Sequence, residues 1–278
     1  MRQVLQHINE ALSGKYQGAE LESICRALCL ELLNVNTIAY YTREDLPPDS
    51  RRDSLLEGAL GRLAGGEPLQ YVLGYVPFCG LRFNVNSHVL IPRPETAELV
   101  DWVAQDCHGG ESILDIGTGS GCIAVTLSHL KPDCSVQAWD ISEDALEVAR
   151  QNNCINGTSV DFKRQDVLAC DLCNPAFNVI VSNPPYIMDS EKSGMESTVL
   201  DFEPHLALFV PDSDPLRFYT AIATLGLSAI KPGGSLYFEI NPMESRAMRE
   251  MLEDKGYHDI ELRTDIFGKE RMIKAIRP

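Results

Sequence analysis

The sequence predicts an α/β fold, a mostly parallel sheet covered by helices on both faces, preceded by a small helical bundle and joined to it by a β-hairpin. Three observations carry this. Leucine and other apolar residues recur at helical spacing from residue 1 to about 70. From Glu67 to Leu90 the texture changes to Gly, Pro and aromatic residues, and Leu81-x-Phe83-x-Val85 alternates with a period of two. From Ser112 onward, short apolar runs alternate with amphipathic ones, and strands alternating with helices make a parallel sheet buried on both faces.

In chain order, Val4, Leu5, Ile8 and Leu12 mark a first helix stopped by Gly14, and Leu21, Ile24, Leu28 and Leu32 a second. Pro47-Pro48 separates these from a further helix capped by Asp49 or Ser50, running through Leu55, Leu56, Leu60 and Leu63 and closed by Gly65-Gly66. Cys25 and Cys29, four apart, read as packing residues. After the hairpin, Pro94 suits the first turn of a helix carrying Leu99, Val100 and Val103. Strands follow at Ile113–Ile116, Ser135–Trp139, Val160–Phe162, Phe177–Ser182 and Ser235–Ile240. Helices at Cys122–Leu130, Ser142–Asn152 (capped by Ser142), Leu216–Ile230 and Glu244–Asp254 lie between or after them. Two strands near Ile260–Arg263 and Met272–Ile276 close the chain.

Composition excludes several classes. With 24 Lys+Arg against 40 Asp+Glu in 278 residues, the net charge is −16, which argues against holding nucleic acid through phosphate contacts. Nine cysteines, irregularly spaced in a chain long enough to build its own core, read as reduced thiols in a cytoplasmic protein. Cys170-x-x-Cys173 lacks a second pair or nearby histidines, so no metal site is expected. No secretory signal is visible and no apolar stretch reaches the ~18 residues that span a bilayer, so no membrane partner is expected.

The chemistry-bearing residues follow the strands. Gly117-Thr118-Gly119-Ser120-Gly121 comes after a buried strand and lets a ligand approach the backbone at a helix N-terminus. A dinucleotide fingerprint would place its third glycine at residue 122, which is Cys, so a pyrophosphate cradle is disfavoured. Asp140 ends the next strand, where a carboxylate can take both hydroxyls of a ribose. Asp166, after the third strand, is placed to accept from an adenine amino group, and Glu111 and Asp115 suit a cationic ligand better than a phosphate. Together these suit S-adenosylmethionine.

After the fourth strand comes Asn183-Pro184-Pro185-Tyr186. Two prolines fix φ twice, giving a stiff turn at the carboxyl end of a buried strand, where open α/β sheets place their chemistry. Asn183 would present its side-chain oxygen, Pro184 and Pro185 their carbonyls, and Tyr186 an aromatic face, a set suited to gripping a planar group that carries an NH₂. Leu90-Ile91-Pro92-Arg93-Pro94-Glu95-Thr96 has two readings, a helix start with a surface arginine or a rigid loop presenting Arg93 or Glu95 to a ligand.

At this point the chain resembles a known family. An Asn-Pro-Pro-Tyr turn after the fourth strand resembles class I methyltransferases of planar nitrogens. Residues 66–74 (Gly-Glu-Pro-Leu-Gln-Tyr-Val-Leu-Gly), Leu90 to Glu95, and Asp265-x-x-Gly268-x-x-Arg271 are similar to the release-factor glutamine methyltransferases, the HemK family, over essentially the whole chain. The resemblance implies a Rossmann-like class I methyltransferase sheet in residues 93–278, a β-hairpin linker in 71–92, and an N-terminal substrate-recognition domain in 1–70. It implies transfer of methyl from S-adenosylmethionine, leaving S-adenosylhomocysteine, to the glutamine amide of the Gly-Gly-Gln tripeptide in class 1 peptide chain release factors. Cofactor contacts carry over to Gly117 through Gly121, Asp140, Asp166, Val167 and Asn183. Substrate contacts carry over to Asn183, Pro184, Pro185 and Tyr186, with Arg93 as a further candidate. Some members have an aromatic residue where Val167 stands, so weaker stacking on the base is expected here. The rival expectation is a nucleic-acid methyltransferase acting on an exocyclic amine of adenine or guanine.

Overall fold

A computed structural model describes residues 1–170 and 174–278. It divides into two compact units, Met1–Tyr75 with Glu196–Phe202, and Val76–Met195 with Glu203–Pro278.

The first unit is built from α1 (Arg2–Leu12), α2 (Gly18–Ala27), α3 (Thr37–Thr42), α4 (Ser50–Ala64) and α5 (Leu69–Leu73). Ile8, Leu12, Leu28 and Leu63 are fully buried at its centre. α2 runs on into a π-helical turn, Leu28–Leu32, so the second leucine stripe is not one regular helix. Asp49 caps α4, its Oδ1 accepting from Arg51 N at 3.0 Å and Arg52 N at 3.2 Å. α3 and α5 have six and five residues, too few to show a helical period, and the sequence reading passed over both. α5 also takes up part of the stretch expected to be hairpin.

The hairpin itself is short, β1 (Tyr75–Phe78) and β2 (Leu81–Asn84), with Cys79 and Gly80 both at positive φ as a two-residue type I′ turn requires. It is followed by α6 (Pro94–Asp106), β3 (Ser112–Ile116), α7 (Cys122–Leu130), β4 (Ser135–Asp140), α8 (Glu143–Ile155), β5 (Val160–Arg164) and β6 (Phe177–Ser182). A two-residue strand pair, β7 (Ile187–Met188) with β8 (Phe209–Val210), brackets an excursion that contains α9 (Ser197–Phe202). α10 (Arg217–Ala229), β9 (Ile230–Glu239), α11 (Ser245–Asp254), β10 (His258–Thr264) and β11 (Glu270–Ile276) complete the chain.

The seven-stranded sheet has the order β10-β11-β9-β6-β3-β4-β5. β9, β6, β3, β4 and β5 pair in parallel, while β11 runs antiparallel to β9 and β10 antiparallel to β11. Successive residues of a strand point to opposite faces. Ile113 and Val179 therefore join Leu99, Val103 and Leu127 of α6 and α7 on one side. Leu114 and Ile180 join Tyr219, Ile222 and Leu252 of α10 and α11 on the other. A sheet covered on both faces leaves only its strand ends open, and the carboxyl ends of β3, β4 and β6 are where its polar residues collect. Strand order reverses between β3, whose neighbours are β4 and β6, which makes this the crevice where such folds bind ligands.

Candidate active site

A cavity of ≈ 410 Å³ opens at that edge, lined by the ends of β3, β4 and β6 and by the segment before α6. Ser182 Oγ donates to the Ile116 carbonyl at 2.6 Å, holding the end of β6 beside the turn that leaves β3. That turn is shaped by glycine. Gly117 and Gly119 have φ of 74° and 54°, and a Cβ on either would meet no atom of the chain within 4 Å, because both face open space.

Four of the turn's five amides are already committed. Gly117 N and Thr118 N donate to the Trp139 carbonyl (2.9 and 3.0 Å), Gly121 N to the Thr118 carbonyl (2.8 Å), and Gly119 N to Asp140 Oδ2 (2.9 Å). A phosphate nest needs convergent free N–H groups, and these are spent within the fold. The charges point the same way. Asp140 lines the cavity, its other oxygen accepting from Ser142 N at 2.9 Å, and burial pushes its carboxyl up from the usual range against those backbone donors. Asp115 is fully buried behind the turn, with Oδ2 bonded to Thr118 Oγ1 (2.6 Å) and no partner for Oδ1 among the described residues. Burial pushes it up to about 7. This end suits hydroxyl donors and positive charge.

Asp166 and Val167 also line the cavity, and Asp166 Oδ1 accepts from Leu168 N at 2.9 Å. Ile141 and Leu168, both exposed large apolar side chains, line the cavity too, as does Phe218. Ile141 was not singled out from the sequence, although an apolar residue directly after the strand-ending Asp140 is a readable signal. Its presence supplies apolar surface of the kind an aromatic ring at position 167 would have given.

The lining also includes Asn183, Pro184, Pro185, Arg93 and Thr96. Asn183 Nδ2 donates to Thr96 Oγ1 at 3.2 Å, and Thr96 Oγ1 donates to Glu239 Oε2 at 2.6 Å. Tyr186 Oη donates to the other carboxylate oxygen of Glu239 at 3.0 Å. Glu239 ends β9 and Asn183 follows β6. The two sit one residue beyond the paired rung Ser182–Phe238, so the parallel register brings them together. Burial pushes the Glu239 carboxyl up, while the Thr96 and Tyr186 hydroxyls and the nearby Arg271 charge oppose that shift. The Asp265-x-x-Gly268-x-x-Arg271 stretch belongs to this region. Asp265 Oδ1 accepts from Phe267 N and Lys269 N, both at 2.9 Å, and Arg271 Nε stands 3.5 Å from Asp265 Oδ2.

Most of the sequence-named residues thus converge, and three are placed differently from expectation. Tyr186 does not line the cavity; its ring packs into the apolar core and its phenol turns to Glu239. Gly121 does not line it either. It caps α7 at φ 82°, where a Cβ would stand 3.1 Å from the Cβ of Ala149, so its glycine serves the packing of α7 on α8. Glu111 precedes β3 and lies at the opposite end of the sheet, its oxygens accepting from His108 N (2.8 Å) and Gly109 N (2.7 Å). Arg93 does reach the cavity, with its guanidinium bonded to the buried Glu203 at 2.6 Å. Cys173 lies outside the described residues. Among the described residues no His/Cys/Asp/Glu group could hold a metal, and no helix is long and apolar enough to cross a membrane.

Thr96, Glu203 and Glu239 were missed by sequence reasoning. Glu239 carried a signal, a carboxylate inside an otherwise apolar strand, which needs partners to be buried. Glu203 carried none, since its partners Arg93 and the Ile91 amide lie more than a hundred residues away.

Comparison with known proteins agrees with the geometry. Residues 94–200 match a family described as methyltransferase small domain, and residues 3–74 match one described as PrmC N-terminal domain. A protein of Bacteroides thetaiotaomicron called release factor glutamine methyltransferase is 46% identical over all of both chains. One of Flavobacterium psychrophilum with the same name is 39% identical over 96% of this chain and 95% of its own. A methyltransferase from Pyrococcus furiosus shares the fold at a TM-score of 0.53 and 17% identity, covering 82% of this chain and 99% of that one. Relatives of one name thus match the chain along essentially its whole length, and it belongs to the release factor glutamine methyltransferase family.

Proposed function

We infer that this protein transfers a methyl group from S-adenosylmethionine to the side-chain amide nitrogen, N5, of the glutamine in the Gly-Gly-Gln motif of class 1 peptide chain release factors. The observation that carries the reading is Asn183. Its NH₂ is tied back to Thr96, which leaves Oδ1 as an acceptor at the wall of the cavity, and an acceptor is what an incoming NH₂ requires.

The residues present fit the donor. Asp140 would take the ribose hydroxyls, Asp166 with Val167 would meet the adenine edge, Ile141 and Leu168 would flank its plane, and Gly117 through Ser120 would pass the amino-acid end. When bound, S-adenosylmethionine supplies an electrophilic methyl on a positively charged sulfur. The chain's own residues do the rest. Asn183 Oδ1 and the Pro184 carbonyl each accept one N–H of the glutamine amide, which turns the nitrogen toward the methyl and favours its pyramidalisation. S-adenosylmethionine would supply the methyl and keep the S–C electron pair on its sulfur, while the amide nitrogen would release its extra proton to solvent. Neutral Asn183 is no strong base, so orientation and electrostatics supply the rate. The stiffness of Pro184 and Pro185 keeps both acceptors in place. Tyr186 acts from behind, packing the turn against Glu239. Arg93, latched to Glu203, would contact the polypeptide around the glutamine, and residues 1–70 would recognise the rest of the release factor. The activity belongs in the cytoplasm, where free thiols such as Cys25, Cys29 and Cys107 stay reduced.

The test is incubation of the protein with labelled S-adenosylmethionine and either release factor or total RNA and DNA. A single added methyl on the Gly-Gly-Gln peptide by mass spectrometry is the expected result. Label in nucleic acid, with none in release factor, would overturn the substrate and favour the exocyclic-amine chemistry.

A further inference from the structure

An asparagine side chain turned by half a revolution keeps its shape and exchanges its oxygen for its NH₂. For Asn183 the two orientations are chemically opposite. With Oδ1 toward the cavity, the side chain accepts from an NH₂ substrate; with Nδ2 there, donors face donors. The Asn-Pro-Pro-Tyr turn does not decide between them, since backbone stiffness leaves the last torsion of the asparagine free.

The decision is made behind the turn. Glu239, 1% exposed, offers one carboxylate oxygen to Tyr186 Oη and the other to Thr96 Oγ1. A hydroxyl that donates its one hydrogen to a carboxylate has only lone pairs left. Thr96 Oγ1 can therefore only accept from Asn183, which obliges Asn183 to turn Nδ2 inward at 3.2 Å. Thr96 is itself 2% exposed and sits in the first turn of α6, where its amide donates to the Arg93 carbonyl at 3.1 Å, so its position does not drift. The Tyr219 hydroxyl donates to the Glu239 carbonyl at 3.0 Å and pins the strand end.

The geometry points to Glu239, acting through Thr96, as the positioning residue that fixes the Asn183 amide with Oδ1 toward the substrate. The inference rests on the reading of this cavity as a glutamine methyltransferase site and adds to it two residues that act through Asn183, of which Thr96 also borders the cavity.

Thr96→Val removes the hydroxyl at nearly constant shape, Thr96→Ser keeps it, and Glu239→Gln replaces one acceptor oxygen by a donor. Thr96→Val and Glu239→Gln are each expected to lower kcat on release factor by roughly 10- to 100-fold, the scale of misplacing a reacting group. Affinity for S-adenosylmethionine, measured by calorimetry, should stay within about threefold, less than half of the 1.4 kcal/mol that a tenfold change represents. Thr96→Ser should recover kcat, and the double variant Thr96→Val, Glu239→Gln should be no slower than the worse single one, because both cut the same tether. A merely structural role would instead add the two losses and weaken cofactor binding alongside. A second readout needs no substrate: hydrogen exchange of the ¹⁵N-labelled Asn183 side-chain amide should be slow in the wild type and faster in Thr96→Val. Wild-type kcat in Thr96→Val, loss of activity in Thr96→Ser equal to that in Thr96→Val, or equal amide exchange in wild type and Thr96→Val would each overturn the tether. Failure of the wild type to methylate release factor would overturn the functional reading instead, and the exchange measurement would still decide the tether.

Discussion

At the scale of single residues, the division of labour is between atoms that face the cavity and atoms that hold them. Asn183 faces it with one acceptor, and truncating it removes that acceptor while leaving the glycine turn and Asp140 untouched. Asn183→Ala should therefore keep cofactor affinity within a few-fold and lose nearly all methyl transfer, comparable turnover by the variant being the result that sinks the role. Asp140 is the proposed contact of the other partner. Its carboxylate is half-buried, braced by Gly119 N and Ser142 N, and lines the cavity. Asp140→Ala should weaken S-adenosylmethionine binding by about 1.5–3 kcal/mol, the usual worth of a hydrogen bond to a charged group. Calorimetric titration measures it, and an unchanged isotherm would place the ribose elsewhere.

At the scale of elements, the hairpin and the glycine turn are joined by a side chain that no motif announces. Asn152, fully buried on α8, accepts from Asn84 N at 2.6 Å and donates to the Asn84 carbonyl at 3.0 Å, as a neighbouring strand would. The same NH₂ donates to the Ser120 carbonyl at 2.8 Å. One turn later, Asn156 repeats the pattern on Arg82, its Oδ1 accepting from the amide at 3.3 Å and its Nδ2 donating to the carbonyl at 2.8 Å. Two asparagines four apart thus cover the edge of β2 and fasten it to the helix that follows Asp140. Asn152→Ala leaves buried backbone groups unpaired and should cost about 1–3 kcal/mol of stability per orphaned group. Urea unfolding reads the loss, and a weaker affinity for S-adenosylmethionine should accompany it through Ser120. An unchanged midpoint would mean that β2 is held by packing alone.

At the scale of the whole molecule, the catalytic unit buries carboxyls at the cavity edge, and this couples stability to pH. Asp115 is pushed from its ordinary 3.8 up to about 7 by burial, so in the folded state it keeps a proton that the unfolded chain has released. Between roughly pH 4 and 7 the native state binds the extra proton, and stability from this group falls as pH rises through that window. Asp140 and Glu239 are shifted in the same direction. Asp115→Asn removes the group's titration, so the unfolding free energy of the variant should decline less between pH 4 and 7 than that of the wild type. Chemical denaturation at several pH values checks this, and parallel slopes would show that Asp115 does not hold its proton.

The sequence by itself determined the layers, the strand-by-strand placement of the glycine turn, Asp140 and Asp166, and the stiff Asn183–Tyr186 turn. Each of these is local: periodicity, a proline pair, or a polar residue at the end of an apolar run. Short elements such as α3 and α5 escaped because they are too brief to show a period. The tertiary structure alone decided strand order, and with it everything that depends on which strands are neighbours. β9 lies beside β6, although 57 residues separate their carboxyl ends, so Glu239 stands next to Asn183 and, with Thr96, selects which atom of the asparagine faces the cavity. β3 points one end toward the cavity and the other away, which admits Gly117 and leaves out Glu111. Gly121 and Tyr186 lie within the motifs, yet they serve packing on α8 and the hold on Glu239. Local pattern specifies which residues a turn can present; the hydrogen bonds that choose their orientation come from chain segments brought together only by the sheet.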